Sequence, residues 1–307
     1  MDITAIARPM RWEVDNKSPG ASQVTLAGWD FGGDGPLALL HHANGMCGAC
    51  WAPVAERLRA THKVVAIDAR GHGGSPPLQT PALEVPQDFG WDFMVDDLQQ
   101  IARQLMAQQG VEQIALGIGS SFGGIVTASA AARFPDLFAR VYMFDPPIHP
   151  TQEILDRLSV EFIAPQHDKE ALVARTRKRK SIWDSREQAR GAWRDKPLFA
   201  PWTEAGFTLY LDHGLRDRPD GRVELACDPL VEAHIFDTTG VLWLPDFADR
   251  VNVPVELVHA RQGFFPEAFF KGLSDLFAQG RFHQLDAGHM LPLEAPELVV
   301  DLINRTR

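Results

Sequence analysis

The 307 residues carry a formal net charge of -10 and are 45% hydrophobic, an ordinary composition for a globular chain long enough to bury a large core. The acidic balance argues against a general nucleic-acid or anionic-membrane binder. No apolar run reaches the length of a bilayer span, and Met1–Pro9 lacks the apolar stretch of a secretory signal, so a cytosolic setting is expected.

Met10–Val14 and Val24–Asp30 alternate as strands do, and the turn-rich Asp15–Gly20 between them predicts an antiparallel hairpin. Pro36–His42 is a continuous apolar run ending at polar residues, as in a buried strand. Ala52–Thr61 reads as a helix, His62–Asp68 as a second buried strand, and Trp91–Gln109 as a helix with Met94, Leu98, Ile101, Ala102, Leu105 and Met106 on one face. Gln113–Leu116 is a short buried strand, Ile125–Phe134 a packed helix rich in small residues, and Arg140–Asp145 a further strand. The strand–helix rhythm then stops from Pro146 to Pro245 and resumes with strands at Val253–His259 and Arg281–Leu285, a helix near Pro266–Gln279, and a closing helix over Pro292–Asn304. The fold class expected is α/β, a mostly parallel sheet covered by helices on both faces. Residues 1–145 and 246–307 form the core, and 146–245 form an inserted, mainly helical cap.

Between the strand and helix around residue 120 stands Gly117-Ile118-Gly119-Ser120-Ser121-Phe122-Gly123-Gly124. Glycines lie two residues either side of Ser121 but not of Ser120, so Ser121 is the centre of a Gly-x-Ser-x-Gly elbow and the candidate nucleophile. The glycines suit a turn so sharp that strand and helix leave no room for a Cβ.

A serine hydroxyl needs a base, an orienting acid and donors for the developing oxyanion, all expected at the carboxyl ends of the parallel strands. His289, after Gly288 in the last connection before the closing helix, is the candidate base. Asp145 directly follows the strand ending at Phe144 and is favoured as the acid over Glu267 or no acid at all, because Ala260-Arg261-Gln262-Gly263 after the later strand holds no carboxylate. The backbone N–H of Phe122 is one expected oxyanion donor. The other comes from His42-Ala43-Asn44-Gly45-Met46, with Met46 N–H preferred and the Asn44 side-chain amide as the alternative.

Three cysteines make no disulfide framework. Cys47-Gly48-Ala49-Cys50 has redox-pair spacing, but small packing residues at the start of a helix explain it better. Trp183, Trp193, Trp202, Phe199 and Phe207 are candidates for an apolar acyl pocket. The basic run Arg175–Lys180 is read as a solvated helix face, with an anionic head group such as coenzyme A as the alternative.

His42-Ala43-Asn44-Gly45, Asp68-Ala69-Arg70-Gly71-His72-Gly73-Gly74-Ser75, the Gly119–Gly124 elbow and Gly288-His289 together resemble the α/β-hydrolase superfamily, over most of the chain outside the cap. The resemblance implies an eight-stranded sheet, a variable cap after the sixth strand, no cofactor and no metal. It also implies a structural rather than catalytic role for the Asp68–Ser75 loop. Ser120 stands where histidine is frequent, and the usual Gly-x-x-Asp after the seventh strand is absent; members with the acid after the sixth strand are known, which fits Asp145. Ser181–Ala189 is similar to a subgroup of uncharacterised bacterial hydrolases and lipase-like proteins. The expected function is hydrolysis of a small to medium carboxylic ester, lactone or thioester, acting on a small molecule with an apolar acyl part and on no nucleic acid. Carbon–carbon bond hydrolysis or perhydrolysis uses the same residues, and a ligand-binding receptor with a degenerate triad is the non-enzymatic alternative.

Overall fold

The computed structural model describes residues 2–16, 23–76, 90–147, 155–156, 169–239 and 246–306. An eight-stranded sheet organises it. β1 (Arg8–Asp15) and β2 (Gln23–Gly32) form the expected antiparallel hairpin; most of the turn read between them lies outside the described residues. β2 also runs antiparallel to β4 (Lys63–Ile67). The remaining pairings are parallel and involve β3 (Leu37–His41), β5 (Leu116–Ser120), β6 (Val141–Phe144), β10 (Val255–Ala260) and β11 (Gly280–Leu285). Across the sheet the order is β1-β2-β4-β3-β5-β6-β10-β11. β3, β5 and β6 are buried along their whole length, which is why they read as unbroken apolar or small-residue runs rather than as alternations.

Helices cover both faces. α1 (Ala52–Leu58) and the closing helices α9 (Leu291–Glu294) and α10 (Pro296–Thr306) share one apolar cluster with the strand residues Ala38, Leu40, Val64 and Ile118. α2 (Trp91–Gln109), α3 (Phe122–Arg133) and α8 (Glu267–Ser274) pack in the other with Leu39, Val65 and Leu257. The alternation of strand side chains between faces produces these two cores.

Two boundaries around the elbow differ from the sequence reading. β5 begins at Leu116 and runs through Gly117 and Gly119 to Ser120, because those glycines pair with β3 and β6 where a side chain would collide with neighbours. α3 begins at Phe122, directly after the elbow, three residues earlier than expected.

The segment between β6 and β10 holds α4 (Lys169–Arg177), α5 (Arg186–Trp193), α6 (Glu204–His213) and α7 (Pro229–Asp237). It also holds a three-stranded sheet of β7 (Ile182–Trp183), β8 (Leu215–Asp217) and β9 (Val223–Leu225) in the order β7-β9-β8. That sheet was not expected: strands of two or three residues are too short to display an alternating pattern. No helix among the described residues is long and apolar enough to cross a membrane.

A Cβ added at Gly119 would sit 2.2 Å from the Gly123 carbonyl oxygen and 2.4 Å from the Gly124 nitrogen. These are backbone atoms that cannot swing aside. Gly119→Ala is therefore expected to lower the unfolding free energy by about 2–3 kcal/mol or more, read as a drop in the urea midpoint; an unchanged midpoint would contradict this close approach of strand and helix.

Candidate active site

Ser121 occupies the turn between β5 and α3 with φ 51° and ψ -123°, a region that non-glycine residues enter only under constraint. Its N–H donates to Phe144 O at 2.8 Å, and its own carbonyl accepts from Gly124 N at 2.9 Å. Gly123 is needed on the far side, since a Cβ there would lie 2.5 and 2.6 Å from the carbonyl oxygens of His41 and His42. The turn leaves Ser121 Oγ 2.9 Å from His289 Nε2.

His289 Nδ1 lies 2.6 Å from Asp145 Oδ2. The carboxylate takes the Nδ1 proton, which fixes the tautomer and leaves Nε2 to accept from the serine hydroxyl. Asp145 is also at positive φ, 44°. Among the described residues, it and Ser121 are the two non-glycines in that region. Its N–H donates to Val258 O at 2.7 Å and its second oxygen accepts Ala260 N–H at 2.9 Å. The loop after β10, which has no carboxylate of its own, thus supplies a backbone donor to the one after β6. That loop is folded back by Gly263 N–H to Ala260 O at 2.9 Å, and a Cβ on Gly263 would meet Asp145 Oδ2 at 2.9 Å. Glu267, the alternative acid, instead pairs with Lys271 and with Gln284 at 3.2 Å, away from His289.

Glu294, which the sequence reading passed over, holds the histidine loop: its two oxygens accept from Gly288 N at 2.7 Å and Met290 N at 3.0 Å. The signal available was a carboxylate in the first turn after the loop, where helix N-terminal donors need an acceptor. Phe264, half exposed, packs its ring 5.1 Å from the His289 ring.

The loop after β3 corrects two expectations. Met46 N–H donates to Ala43 O at 3.0 Å, closing a tight turn, so it is not free to meet an oxyanion. The Asn44 amide donates to Glu232 O at 3.0 Å and is held away by the insertion. Gly45 N–H is also committed, to His72 Nε2 at 3.2 Å. Ala43 and Asn44 main-chain N–H groups are the candidates that remain in this loop, alongside Phe122 N–H at the start of α3.

Two neutral histidines brace the loop from beneath. His42 donates from Nδ1 to Ala43 O at 2.8 Å and accepts Ala69 N–H on Nε2 at 2.9 Å. His72 donates from Nδ1 to Arg70 O at 2.8 Å. Burial holds His42 well below the ordinary imidazole range and lowers His72, like neighbouring His41, to about 4. Asp68 accepts from Gly48 N at 2.6 Å and Gly74 N at 2.8 Å, and Arg70 donates two hydrogen bonds to Asp97 in a buried bidentate ion pair, at 2.5 and 2.8 Å. From above, Glu232 of α7 bonds Arg179 at 2.6 Å, and Arg179 also donates to Tyr210 Oη at 2.9 Å. The buried pair presses on the loop: a Cβ on Gly45 would lie 2.8 Å from Glu232 Oε1.

The five aromatics expected to line an acyl pocket do something else. Trp183, Trp193, Phe199, Trp202 and Phe207 are all buried against one another, with ring centroids 4.8–5.7 Å apart along Trp183–Trp193–Phe199–Trp202 and Phe199–Phe207. They belong to the apolar cluster that also holds Ala38, Leu40, Trp51 and Leu291 on the α1 side of the sheet. Cations of the basic run are likewise engaged: Arg177 with Asp237 at 3.6 Å, Arg179 as above, and Lys180 over the Trp183 ring at 4.0 Å. Cys47 and Cys50 are buried thiols with sulfurs 3.7 Å apart. Their mutual hydrogen bond and burial push the Cys47 thiol well above its ordinary range, the opposite of a reactive cysteine.

A family model described as the α/β hydrolase fold matches residues 36–181. The backbone also aligns with the solved E-2-(acetamidomethylene)succinate hydrolase at a TM-score of 0.73 and 20% identity, over 97% of this chain and 98% of that one. The chain has the α/β-hydrolase fold. A peroxisomal α/β-hydrolase of Saccharomyces cerevisiae is similar to this chain at a TM-score of 0.74 and 16% identity, over 97% and 88% of the two chains. In sequence, the chain is 30% identical over 104 residues to protein phosphatase methylesterase 1 of Aspergillus fumigatus, covering 32% of this chain and 25% of the relative. It is also 30% identical over 113 residues to pimeloyl-(acyl-carrier protein) methyl ester esterase of Vibrio vulnificus, covering 37% and 38%. The matches thus span about a quarter to two-fifths of those relatives' length.

His41 and His72 bind protons near pH 6.5 when unfolded but only at about 4 when folded. Their contribution to stability is complete above pH 6.5 and is lost as pH falls towards 4, by up to about 1.4 kcal/mol per pH unit for each histidine. Asp68, Asp97 and Glu232, whose carboxyls burial raises, oppose that fall. Urea titrations across pH 4–7 are expected to show a shallower acid loss in His72→Gln than in the wild type; identical slopes would contradict the neutral, buried imidazole.

Proposed function

We propose that this protein is a serine hydrolase that cleaves small to medium carboxylic esters, thioesters or lactones through an acyl-enzyme. The observation that carries the reading is the continuous relay of Asp145 Oδ2 to His289 Nδ1 at 2.6 Å and His289 Nε2 to Ser121 Oγ at 2.9 Å. Ser121 Oγ bonds to the carbonyl carbon while its proton passes to His289 Nε2, and Asp145 stabilises the imidazolium. The tetrahedral oxyanion meets Phe122 N–H and a second N–H from Ala43 or Asn44. Collapse breaks the bond to the leaving alcohol or thiol, which takes the proton from Nε2. Water, activated by the same nitrogen, then adds to the acyl carbon and returns the serine.

The named relatives, both methyl ester esterases, support an ester as substrate. Residues 146–245 serve as the cap that bounds the substrate site, and the enzyme acts in the cytosol. Asp145 at hydrogen-bond distance from His289 supports this reading over a ligand-binding receptor with a degenerate triad.

Initial rates on p-nitrophenyl acetate, butyrate and octanoate test the reading. Ser121→Ala and His289→Ala are expected to lower kcat by about 10^4-fold or more, and Asp145→Asn, which holds the wrong tautomer, by about 10^4-fold. Glu267→Gln is expected to stay within about two-fold of the wild type. Full activity in Ser121→Ala or Asp145→Asn would overturn the mechanism.

A further inference from the structure

The bonds that hold the loop of His289 fall on the residues around it. Gln262 N–H donates to Ala287 O at 3.0 Å. Immediately either side of the histidine, Gly288 N–H and Met290 N–H donate to the two oxygens of Glu294, at 2.7 and 3.0 Å. One carboxylate thus spans the base from one chain neighbour to the other, with both of its oxygens engaged. Its own backbone is fixed as well. Glu294 N–H donates to Met290 O at 3.0 Å, and Leu293 O accepts Thr203 N–H at 2.8 Å and Thr203 Oγ1–H at 3.0 Å. Thr203 caps α6, so the segment between β6 and β10 anchors the short turn that carries the carboxylate. Gly288 leaves the room required: a Cβ there would lie 2.5 and 2.8 Å from the Glu294 oxygens.

We propose that Glu294 is a positioning residue for the reaction: by clamping the main chain on both sides of His289, it sets the imidazole between Asp145 and Ser121. The inference rests on the hydrolase reading above. The relay asks one ring to place Nδ1 2.6 Å from a carboxylate after β6 and Nε2 2.9 Å from a hydroxyl after β5. The ring sits on a connecting loop, so its backbone must be fixed from outside. A carboxylate suits that task, because its hydrogen bonds to backbone N–H groups are charge-assisted and stronger than neutral ones. A misplacement of about 1 Å in a reacting group costs on the order of 100-fold in rate. The clamp touches the base and not the bound substrate, so its loss falls on kcat and leaves KM. A carboxylate that only stabilised the fold would change the melting temperature and neither the rate nor the geometry of the relay.

The test measures kcat and KM on p-nitrophenyl butyrate for four variants, with thermal melts to establish that each is folded. Glu294→Ala is expected to lower kcat about 100-fold with KM within about two-fold of the wild type. Glu294→Gln keeps one acceptor but turns the other oxygen into a donor facing an N–H, and is expected to fall between the two. Gly288→Ala leaves Glu294 in the chain but displaces its carboxylate, and is expected to match Glu294→Ala. The double variant is expected to lose no more than either alone, since both changes remove the same clamp. Should Glu294→Ala not fold, Glu294→Gln and Gly288→Ala decide. Glu297→Gln, which removes a surface partner of Arg57 at 2.7 Å, is the control and is expected to stay within about two-fold. Proton NMR supplies the second readout: the far-downfield resonance of the His289–Asp145 hydrogen bond is expected in the wild type and is lost or broadened in the folded variants. Folded variants with unchanged kcat and resonance, losses confined to KM, or a double variant whose loss is the product of the two would overturn the positioning role and leave the hydrolase reading intact. A wild type that hydrolyses none of the p-nitrophenyl esters would overturn both.

Discussion

The site depends on one constraint: a carboxylate at the end of β6 must reach a histidine on the loop after β11, across the intervening strand β10. Asp145 manages this by turning at positive φ as soon as its strand ends, which swings Oδ2 to 2.6 Å from His289 Nδ1. Two main-chain bonds to β10, Asp145 N–H to Val258 O and Ala260 N–H to Asp145 Oδ1, hold the turn. Such a conformation is tolerated only when its surroundings overdetermine it. Gly263, which leaves room beside the same carboxylate, is part of that determination. Ser121 is held in a comparable way at the other end of the relay, by glycines whose missing Cβ atoms let β5 and α3 meet.

The oxyanion loop is held differently, by polar contacts from both sides. Beneath it, His42 and His72 act as neutral bifunctional groups, each donating from one nitrogen and accepting on the other. Above it, Arg179, Glu232 and Tyr210 of the insertion form a buried cluster against Asn44 and Gly45. Buried polar groups satisfied in this way rigidify a segment, and rigidity is what lets donors stabilise a charge without reorganising. Residues from the segment between β6 and β10 and residues beneath the loop therefore share the task of positioning it.

Much of this was legible in the sequence where a residue type is demanded by sterics or by chain order. The glycine frame singled out Ser121 over Ser120, and the last sheet connection singled out His289. The absence of a carboxylate in Ala260–Gly263 pointed back to Asp145, and the structure brings all three within hydrogen-bond reach. What stayed hidden depends on where a group's bonds go. Nothing in His42–Met46 reveals that Met46 N–H closes a turn onto Ala43, or that the Asn44 amide faces Glu232, nearly two hundred residues later in the chain. Composition likewise does not separate aromatics that line a pocket from aromatics that pack on one another, and Trp183, Trp193, Phe199, Trp202 and Phe207 belong to the second kind. Charge runs carry the same ambiguity: Arg179 is a half-buried partner of Glu232, whereas Arg175, Arg177, Lys178 and Lys180 of the same run are exposed.

The measurement that bears most directly on the central claim is the site of covalent capture. The protein would be treated with an alkyl fluorophosphonate, digested, and the modified peptide sequenced by mass spectrometry, alongside a His289→Ala variant. The account predicts one adduct per chain, on Ser121 and not on adjacent Ser120, formed far more slowly when His289 is removed. An adduct on another residue, or labelling of Ser121 that is indifferent to His289, would contradict it.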